Sequence, residues 1–156
     1  MNCRWTVSGL FLVVLCIQHA LPGSSADAAG PKRPNIVFLF SDDHAVKSIS
    51  AYGGPLAKVA PTPNIDRLAR QGAVLLNSFC ANSICGPSRA TILTGKHSHA
   101  NGFMRNTGKG LDQSQWTVAK ALQAVGYHTA VIGKWHLKTR PVGFDHREML
   151  PGQGNY

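Results

Sequence analysis

The sequence predicts an α/β fold with a largely parallel sheet, and three observations lead to this class. Short apolar runs bounded by turn residues alternate with segments of helical periodicity, in the order β-α-β-α-α-β. The first run is continuously apolar, which is typical of a strand buried on both faces. The 156 residues allow one domain at most, and three strands make a small sheet. We therefore expect the chain to stop before its fold is complete.

Three segments have the composition of strands. They are residues 35–40, 73–80 and 127–132, and each is rich in strand-forming residues. Residues 96–112 contain Gly, Asn and His without clear periodicity and are predicted to be loop. No further regular element is predicted from residue 133 onward.

Three helices are predicted between these strands, each followed by a glycine that suits a helix end. They cover residues 64–71, 88–94 and 114–125. Pro87 opens the second helix, since proline is tolerated in a first helical turn. Ser114 is predicted to cap the third.

The N-terminus has the pattern of a secretory signal. Arg4 supplies positive charge, residues 7–17 form an apolar stretch of suitable length, and Ala26-Asp27-Ala28 resembles a cleavage site. We predict a signal peptide over residues 1–28 and a secreted or periplasmic mature chain, with an uncleaved anchor as the alternative. No apolar run reaches the ~20 residues of a membrane span, so no transmembrane segment is expected after cleavage.

The chain is basic, with 16 Lys+Arg against 7 Asp+Glu and a net charge of +9. The basic residues are scattered, so the charge suits an anionic ligand without indicating nucleic acid. Removing residues 1–28 takes away Arg4 and Asp27, which leaves the net charge unchanged. It also leaves Cys80 and Cys85 as the only cysteines, a candidate disulfide in a secreted chain.

Three clusters of reactive residues follow the predicted strands. Asp42-Asp43 follows the first, Cys85 and Arg89 follow the second, and Lys134 with His136 follows the third. In open parallel sheets the ligand site lies beyond the carboxyl ends of the strands. We therefore expect the three clusters to meet there.

Each cluster taken alone has more than one interpretation. The Asp pair could form a solvated turn, or could hold Ca²⁺ or Mg²⁺; calcium takes ~6–8 oxygens, so further ligands would be needed. Cys85 lies at a helix N-terminus, which favours an anion, but it could also pair with Cys80 or act as a thiolate. Lys134 and His136 could supply a charge and a proton carrier, or be surface residues.

Four motifs, in the right order, resemble the type I sulfatases. Residues 85–96 (CGPSRATILTGK) resemble the family signature C-x-P-S-R-x-x-x-L-T-G. Residues 34–43 resemble the first strand and metal-binding turn, 61–69 (PTPNIDRLA) the T-P-N-I/L-D-x-L-A segment, and 133–137 the G-K-W-H-L motif. The resemblance implies an alkaline-phosphatase-like sandwich with a largely parallel sheet, of which residues 29–156 would be an incomplete N-terminal part of the catalytic domain.

The resemblance also implies how the nucleophile and the metal are built. Cys85 would be oxidised by the formylglycine-generating enzyme to formylglycine, whose hydrated aldehyde is the nucleophile. A residue converted in this way can form neither a disulfide nor a thiolate. Asp42 and Asp43 would bind a calcium ion together with the modified Cys85 and the substrate sulfate.

By the same resemblance, Arg89 would steady the aldehyde hydrate, Lys134 would contact the sulfate, and His136 would hydrogen-bond the hydrate. The chain looks most like sulfatases of sulfated sugars, such as glucosamine-6-sulfatases. The implied function is a sulfuric ester hydrolase acting on a sulfated carbohydrate, inactive as an isolated fragment because metal ligands are missing. The alternatives are a phosphonate or phosphodiester hydrolase of the same superfamily, and a non-catalytic module that binds sulfated polyanions.

Overall fold

The computed structural model describes residues 33–154, so the predicted signal peptide of residues 1–28 lies outside the described part of the chain. The chain divides into two units, one ending at Leu39 and the other beginning at Phe40. Residues 33–39, the described part of the first unit, contain neither helix nor strand. All of the regular elements described below belong to the second unit.

Within its described residues, the second unit contains four α-helices, two 3₁₀ turns and a two-stranded sheet. These elements are the 3₁₀ turns Val46–Ser48 and Ser50–Tyr52, helices α1 (Pro63–Gln71), α2 (Cys85–Thr94), α3 (Ser98–Asn101) and α4 (Val118–Ala124), and strands β1 (Ala130–Lys134) and β2 (His146–Leu150). The two strands are parallel, with Ala130 opposite His146 and Lys134 opposite Leu150. None of the helices in residues 33–154 has the length and apolar character needed to cross a membrane.

Two of the predicted strands are wrong. Residues 35–40 and 73–80 contain no strand, and several of their apolar side chains are exposed: Leu39 by 80%, Leu76 by 78% and Phe79 by 92%. A strand depends on hydrogen bonds from a neighbouring strand, and in the described residues β1 and β2 pair with each other. An apolar run therefore identifies a segment suited to burial, but does not by itself make a strand.

The third predicted strand is displaced, and β2 was not predicted. The strand expected over residues 127–132 is observed at Ala130–Lys134. β2 occupies a region predicted to be loop, because His146–Leu150 (HREML) is largely polar and exposed and lacks an apolar run. Its pairing with β1, which is remote in sequence, is what makes it a strand.

The first two predicted helices are present with earlier starts. α1 begins at Pro63, one residue before the predicted start. α2 begins at Cys85 rather than Ser88, because the helical backbone follows directly on the extended Ile84. α2 ends at Thr94, and Gly95 adopts the left-handed conformation (φ 66°) that ends many helices.

The cap of the third predicted helix lies three residues later than expected, and a short helix lies in a predicted loop. α4 starts at Val118 after Thr117, whose hydroxyl accepts a 3.3 Å hydrogen bond from the Lys120 N–H. Ser114, the predicted cap, instead donates to the carboxylate of Asp112 at 2.8 Å. α3 lies within residues 96–112, and a helix of four residues is too short to produce a recognisable periodicity in the sequence.

A small apolar core lies between α2 and the segment that follows β1. Its buried members are Ala90, Phe103, Leu111 and Leu137, with Leu93 and Trp135 packed against them. Ala90 and Leu137 are both fully buried, and each is adjacent in sequence to a predicted site residue, Arg89 and His136. Packing of this core therefore brings the two site segments together.

Candidate active site

Cys85 is the first residue of α2, and its side chain has two polar neighbours. Its Sγ lies 3.2 Å from Nδ1 of His136 and accepts a 3.2 Å hydrogen bond from Nδ2 of Asn106. Cys80 and Cys85 are both free, so the structure contradicts a disulfide between them. The thiol of Cys85 is partly buried and lies beside a group that can exchange protons.

The residues after Cys85 explain why the helix starts here. Pro87 is fully buried in the first turn, where a missing N–H costs no helical hydrogen bond. Gly86 is also buried, and a β-carbon at this position would lie 2.5 Å from Oδ1 of Asn106 and 2.8 Å from the Phe103 ring. Only a glycine allows this close approach, which places the Cys85 side chain at the edge of the core.

The carboxylate of Asp42 lies between two cations. Nζ of Lys134 donates a hydrogen bond to Oδ2 of Asp42, and Nη2 of Arg89 lies 3.9 Å from the same oxygen. The hydrogen bond from Lys134 lowers the pKa of Asp42 below its ordinary value, and this effect exceeds the opposing effect of desolvation. Asp42 is therefore ionised near neutral pH.

Arg89 is fixed in place from two directions. Its Nη1 donates to the backbone oxygen of Lys134 at 2.5 Å, and its guanidinium carbon lies 5.2 Å from the centre of the Phe40 ring. Its Nε is buried without a hydrogen-bond partner. A buried unpaired donor in a cationic cluster is a feature suited to an anionic group.

His136 has a lowered pKa. The largest cause is burial, which disfavours the charged imidazolium, and the nearby charges of Lys134 and Arg89 act in the same direction. Asp42 opposes them with a smaller effect. The neutral imidazole is therefore favoured near neutral pH, and it can accept a proton.

The structure brings together most of the predicted site residues. Those that converge are Asp42, Cys85, Arg89, Lys134 and His136. Asp43, the other predicted metal ligand, is exposed and has a left-handed backbone (φ 50°). The chemical role of each of these residues stays a prediction.

Asp42 and Asp43 offer carboxylate oxygens, which suit a hard divalent cation, but the two residues supply only part of a metal site. Carboxylate oxygens are the ligands that calcium prefers, and a complete shell has ~6–8 oxygens. Among residues 33–154, no group of three or more His, Cys, Asp or Glu side chains could hold a metal ion. A cation approaching Asp42 would also have to replace the ammonium of Lys134.

Asn106 belongs to this site but was not predicted. It lies in residues 96–112, where the sequence has no periodicity. The following Thr107-Gly108 indicates a turn, and nothing in this pattern indicates that Asn106 contacts Cys85. Contacts made by a loop amide depend on the path of the loop, which a single sequence does not reveal.

The cluster thus joins a thiol and an imidazole to two cations and a carboxylate on an α/β chain. The chain belongs to the sulfatase family, whose model matches residues 34–146. This confirms the predicted resemblance.

The known relatives agree with this assignment. The chain is 49% identical over 135 residues to an N-acetylglucosamine-6-O-sulfatase of Bacteroides thetaiotaomicron, a match that covers 83% of the chain and 24% of the relative. The solved structure of BT4656 in complex with its substrate D-glucosamine-2-N,6-O-disulfate matches with a TM-score of 0.73 and 51% identity, over 78% of the chain and 24% of that structure. The chain thus spans about a quarter of the length of these proteins.

A second kind of hydrolase shares the fold. The phosphonate monoester hydrolase of Agrobacterium radiobacter matches with a TM-score of 0.51 and 28% identity, over 58% of the chain and 21% of that structure. Together these neighbours confirm the predicted fold class, an alkaline-phosphatase-like α/β sandwich.

Proposed function

We propose that the protein containing this chain is a sulfuric ester hydrolase that removes sulfate from a sulfated carbohydrate. The observation that carries the proposal is the contact of Cys85 with His136, 3.2 Å apart, beside Lys134 and Arg89. The similarity to an N-acetylglucosamine-6-O-sulfatase supports a 6-sulfated amino sugar as the substrate. The net charge of +9 suits such polyanionic glycans.

The proposed nucleophile derives from Cys85. Maturation catalysed by the formylglycine-generating enzyme would convert the –CH₂SH group of Cys85 into an aldehyde, with molecular oxygen as the oxidant and with loss of the sulfur. If present, the hydrated aldehyde would supply one hydroxyl that attacks sulfur while the S–O bond to the sugar breaks and the sugar alcohol leaves. Its second hydroxyl, on losing a proton, would expel the bound sulfate and restore the aldehyde. His136, neutral because of its lowered pKa, accepts that proton.

The cationic residues would bind the sulfate. Lys134 would contact the free oxygens of the sulfate, and Arg89 would steady the nucleophilic side chain. The positive charges of both residues would stabilise the negative charge that develops as the S–O bond breaks. Asp42 and Asp43 would hold a calcium ion together with the modified Cys85, and the bound ion supplies further stabilisation of that charge.

We further propose that residues 29–156 form the N-terminal part of a longer catalytic domain, following a signal peptide that directs export to the periplasm or outside the cell. The remaining calcium ligands would then come from the rest of that domain. Two neighbouring carboxylates fill only part of a calcium shell. We therefore expect the isolated chain to bind calcium weakly and to turn over poorly.

Sulfate release from a glucosamine 6-sulfate by the full-length protein tests the proposed function. The unsubstituted protein should release sulfate, and Cys85→Ala should lower the rate to background because the side chain that forms the nucleophile is lost. Cys80→Ala is the matched control, since the Cys80 thiol is exposed and bonds to the backbone oxygen of Asn82. Equal rates for Cys85→Ala and the unsubstituted protein would refute the proposal.

The similarity to a phosphonate monoester hydrolase supports a second candidate, a phosphonate or phosphodiester hydrolase. Comparing aryl sulfate with aryl phosphodiester hydrolysis separates the two, because faster phosphodiester turnover would favour the second. The +9 charge also suits a non-catalytic polyanion-binding module. That function requires salt-sensitive glycan binding that persists in Cys85→Ala without metal.

A further inference from the structure

Asn106 joins the first turn of α2 to the Cys85 side chain. Its Oδ1 accepts a 3.1 Å hydrogen bond from the backbone N–H of Gly86, and its Nδ2 donates a 3.2 Å hydrogen bond to Sγ of Cys85. A backbone N–H can only donate, so the amide oxygen must face Gly86. The amide nitrogen is therefore directed at the sulfur.

Packing holds the amide in this position. The site of a β-carbon on Gly86 is only 2.5 Å from Oδ1 of Asn106, and it is 2.8 Å from the ring of the buried Phe103. The absence of a side chain on Gly86 thus lets Asn106 lie directly against the helix. Asn106 is itself half-buried, which limits the competition of water for both hydrogen bonds.

His136 approaches the same sulfur, with Nδ1 at 3.2 Å. The sulfur therefore has a fixed donor, the Asn106 amide, and a second partner whose proton depends on its tautomer. With these two neighbours, the Cys85 side chain is held at the N-terminus of α2, where unpaired N–H groups favour negative charge.

We propose that Asn106 is a positioning residue for Cys85. Anchored by the N–H of Gly86, its side-chain N–H orients the Cys85 side chain toward His136 and stabilises negative charge on the atom bonded to the Cys85 β-carbon. The importance of this role for catalysis rests on the proposed function, in which that side chain forms the nucleophile. The hydrogen-bond arrangement itself can be tested on the thiol.

The test is the alkylation rate of Cys85 by iodoacetamide in the unconverted chain, measured by peptide mass spectrometry. Asn106→Asp keeps an oxygen for the Gly86 N–H but places an anionic oxygen where the donor was. A hydrogen bond to a charged group stabilises that charged form by about a factor of ten. Without the Asn106 donor, we therefore expect the rate of Cys85 alkylation to fall by about the same factor. Cys80, an exposed free thiol, monitors the reagent in the same sample.

Asn82→Asp is the matched control. Asn82 also accepts a hydrogen bond from a backbone N–H next to Cys85, that of Ile84 at 3.0 Å, but its Nδ2 donates to Ser98 rather than to sulfur. We expect this variant to leave the Cys85 rate within a factor of two. An unchanged rate in Asn106→Asp, or an increase toward the rate of an exposed thiol, would overturn the proposal.

A second measurement uses the unsubstituted chain and so does not depend on the variant folding. Alkylation of Cys85 should shift the side-chain amide NMR signal of Asn106 and leave that of Asn82 in place. An unmoved Asn106 signal would also overturn the proposal. Neither experiment requires sulfatase turnover, so a failed sulfate-release assay would count against the proposed function alone.

Discussion

His136 shows how a site residue acquires its chemical character from its neighbours. Burial and the charges of Lys134 and Arg89 lower its pKa, so the folded chain binds the imidazole proton less readily than the unfolded chain. Its contribution to stability is therefore complete above the unfolded pKa, ~6.5, and decreases as the pH falls through the folded pKa. The same environment keeps the imidazole ready to accept a proton near neutral pH.

Replacing Lys134 should raise the pKa of His136. Lys134→Met removes the positive charge with the largest effect on this imidazole, so the midpoint of its NMR titration should move upward toward ~6.5. Lys138→Met is the control, because the charge of Lys138 acts in the same direction more weakly. A downward shift, or a larger rise in the control, would contradict this description of the site.

Most of the site residues could be identified from the sequence because their motifs are local. Cys85 and Arg89 share one helix, and Lys134 and His136 lie two residues apart, so spacing places the members of each pair near each other, while the resemblance to the sulfatases assigns their roles. Asn106 is different, since it reaches Cys85 across 21 positions of the chain. Its contact depends on a loop path that the local pattern does not determine.

The cap of α4 is a feature of a whole element. The structure places the helix start at Val118, with the hydroxyl of Thr117 accepting from the Lys120 N–H. The hydroxyl of the predicted cap, Ser114, bonds to Asp112 instead. Both residues are typical of helix starts, and their neighbours in the folded chain decide between them.

Thr117→Ala should therefore destabilise the chain more than Ser114→Ala. Loss of an N-cap side chain costs about 1 kcal/mol, whereas removing an exposed turn hydroxyl costs less. Urea unfolding followed by circular dichroism measures both differences. A larger loss of stability in Ser114→Ala would show that the helix begins at the earlier residue.

The strands show the limit of local patterns at the same scale. Residues 35–40 and 73–80 have strong strand composition but no strand, whereas the polar segment His146–Leu150 pairs with β1. Helices satisfy their backbone hydrogen bonds internally, so the three longer helices were predictable, whereas strands depend on a partner elsewhere in the chain.

At the scale of the whole molecule, exposed apolar residues agree with the proposal of a longer domain. Leu75, Leu76 and Phe79 are each exposed by more than two thirds and lie close together in sequence. Large apolar side chains that are exposed close together are typical of surfaces that contact other parts of a protein. The chain covers about a quarter of the length of its relative. In the proposed longer domain, the remaining three quarters would supply surfaces against which these apolar side chains could pack.

The conversion of Cys85 is the claim on which the proposed mechanism depends. Mass spectrometry of the Cys85 peptide, taken from the full-length protein made in its native host, tests it directly. We predict a peptide lighter than the cysteine form by the difference between one sulfur with two hydrogens and one oxygen. A peptide that retains the full mass of the thiol in every preparation would contradict the mechanism.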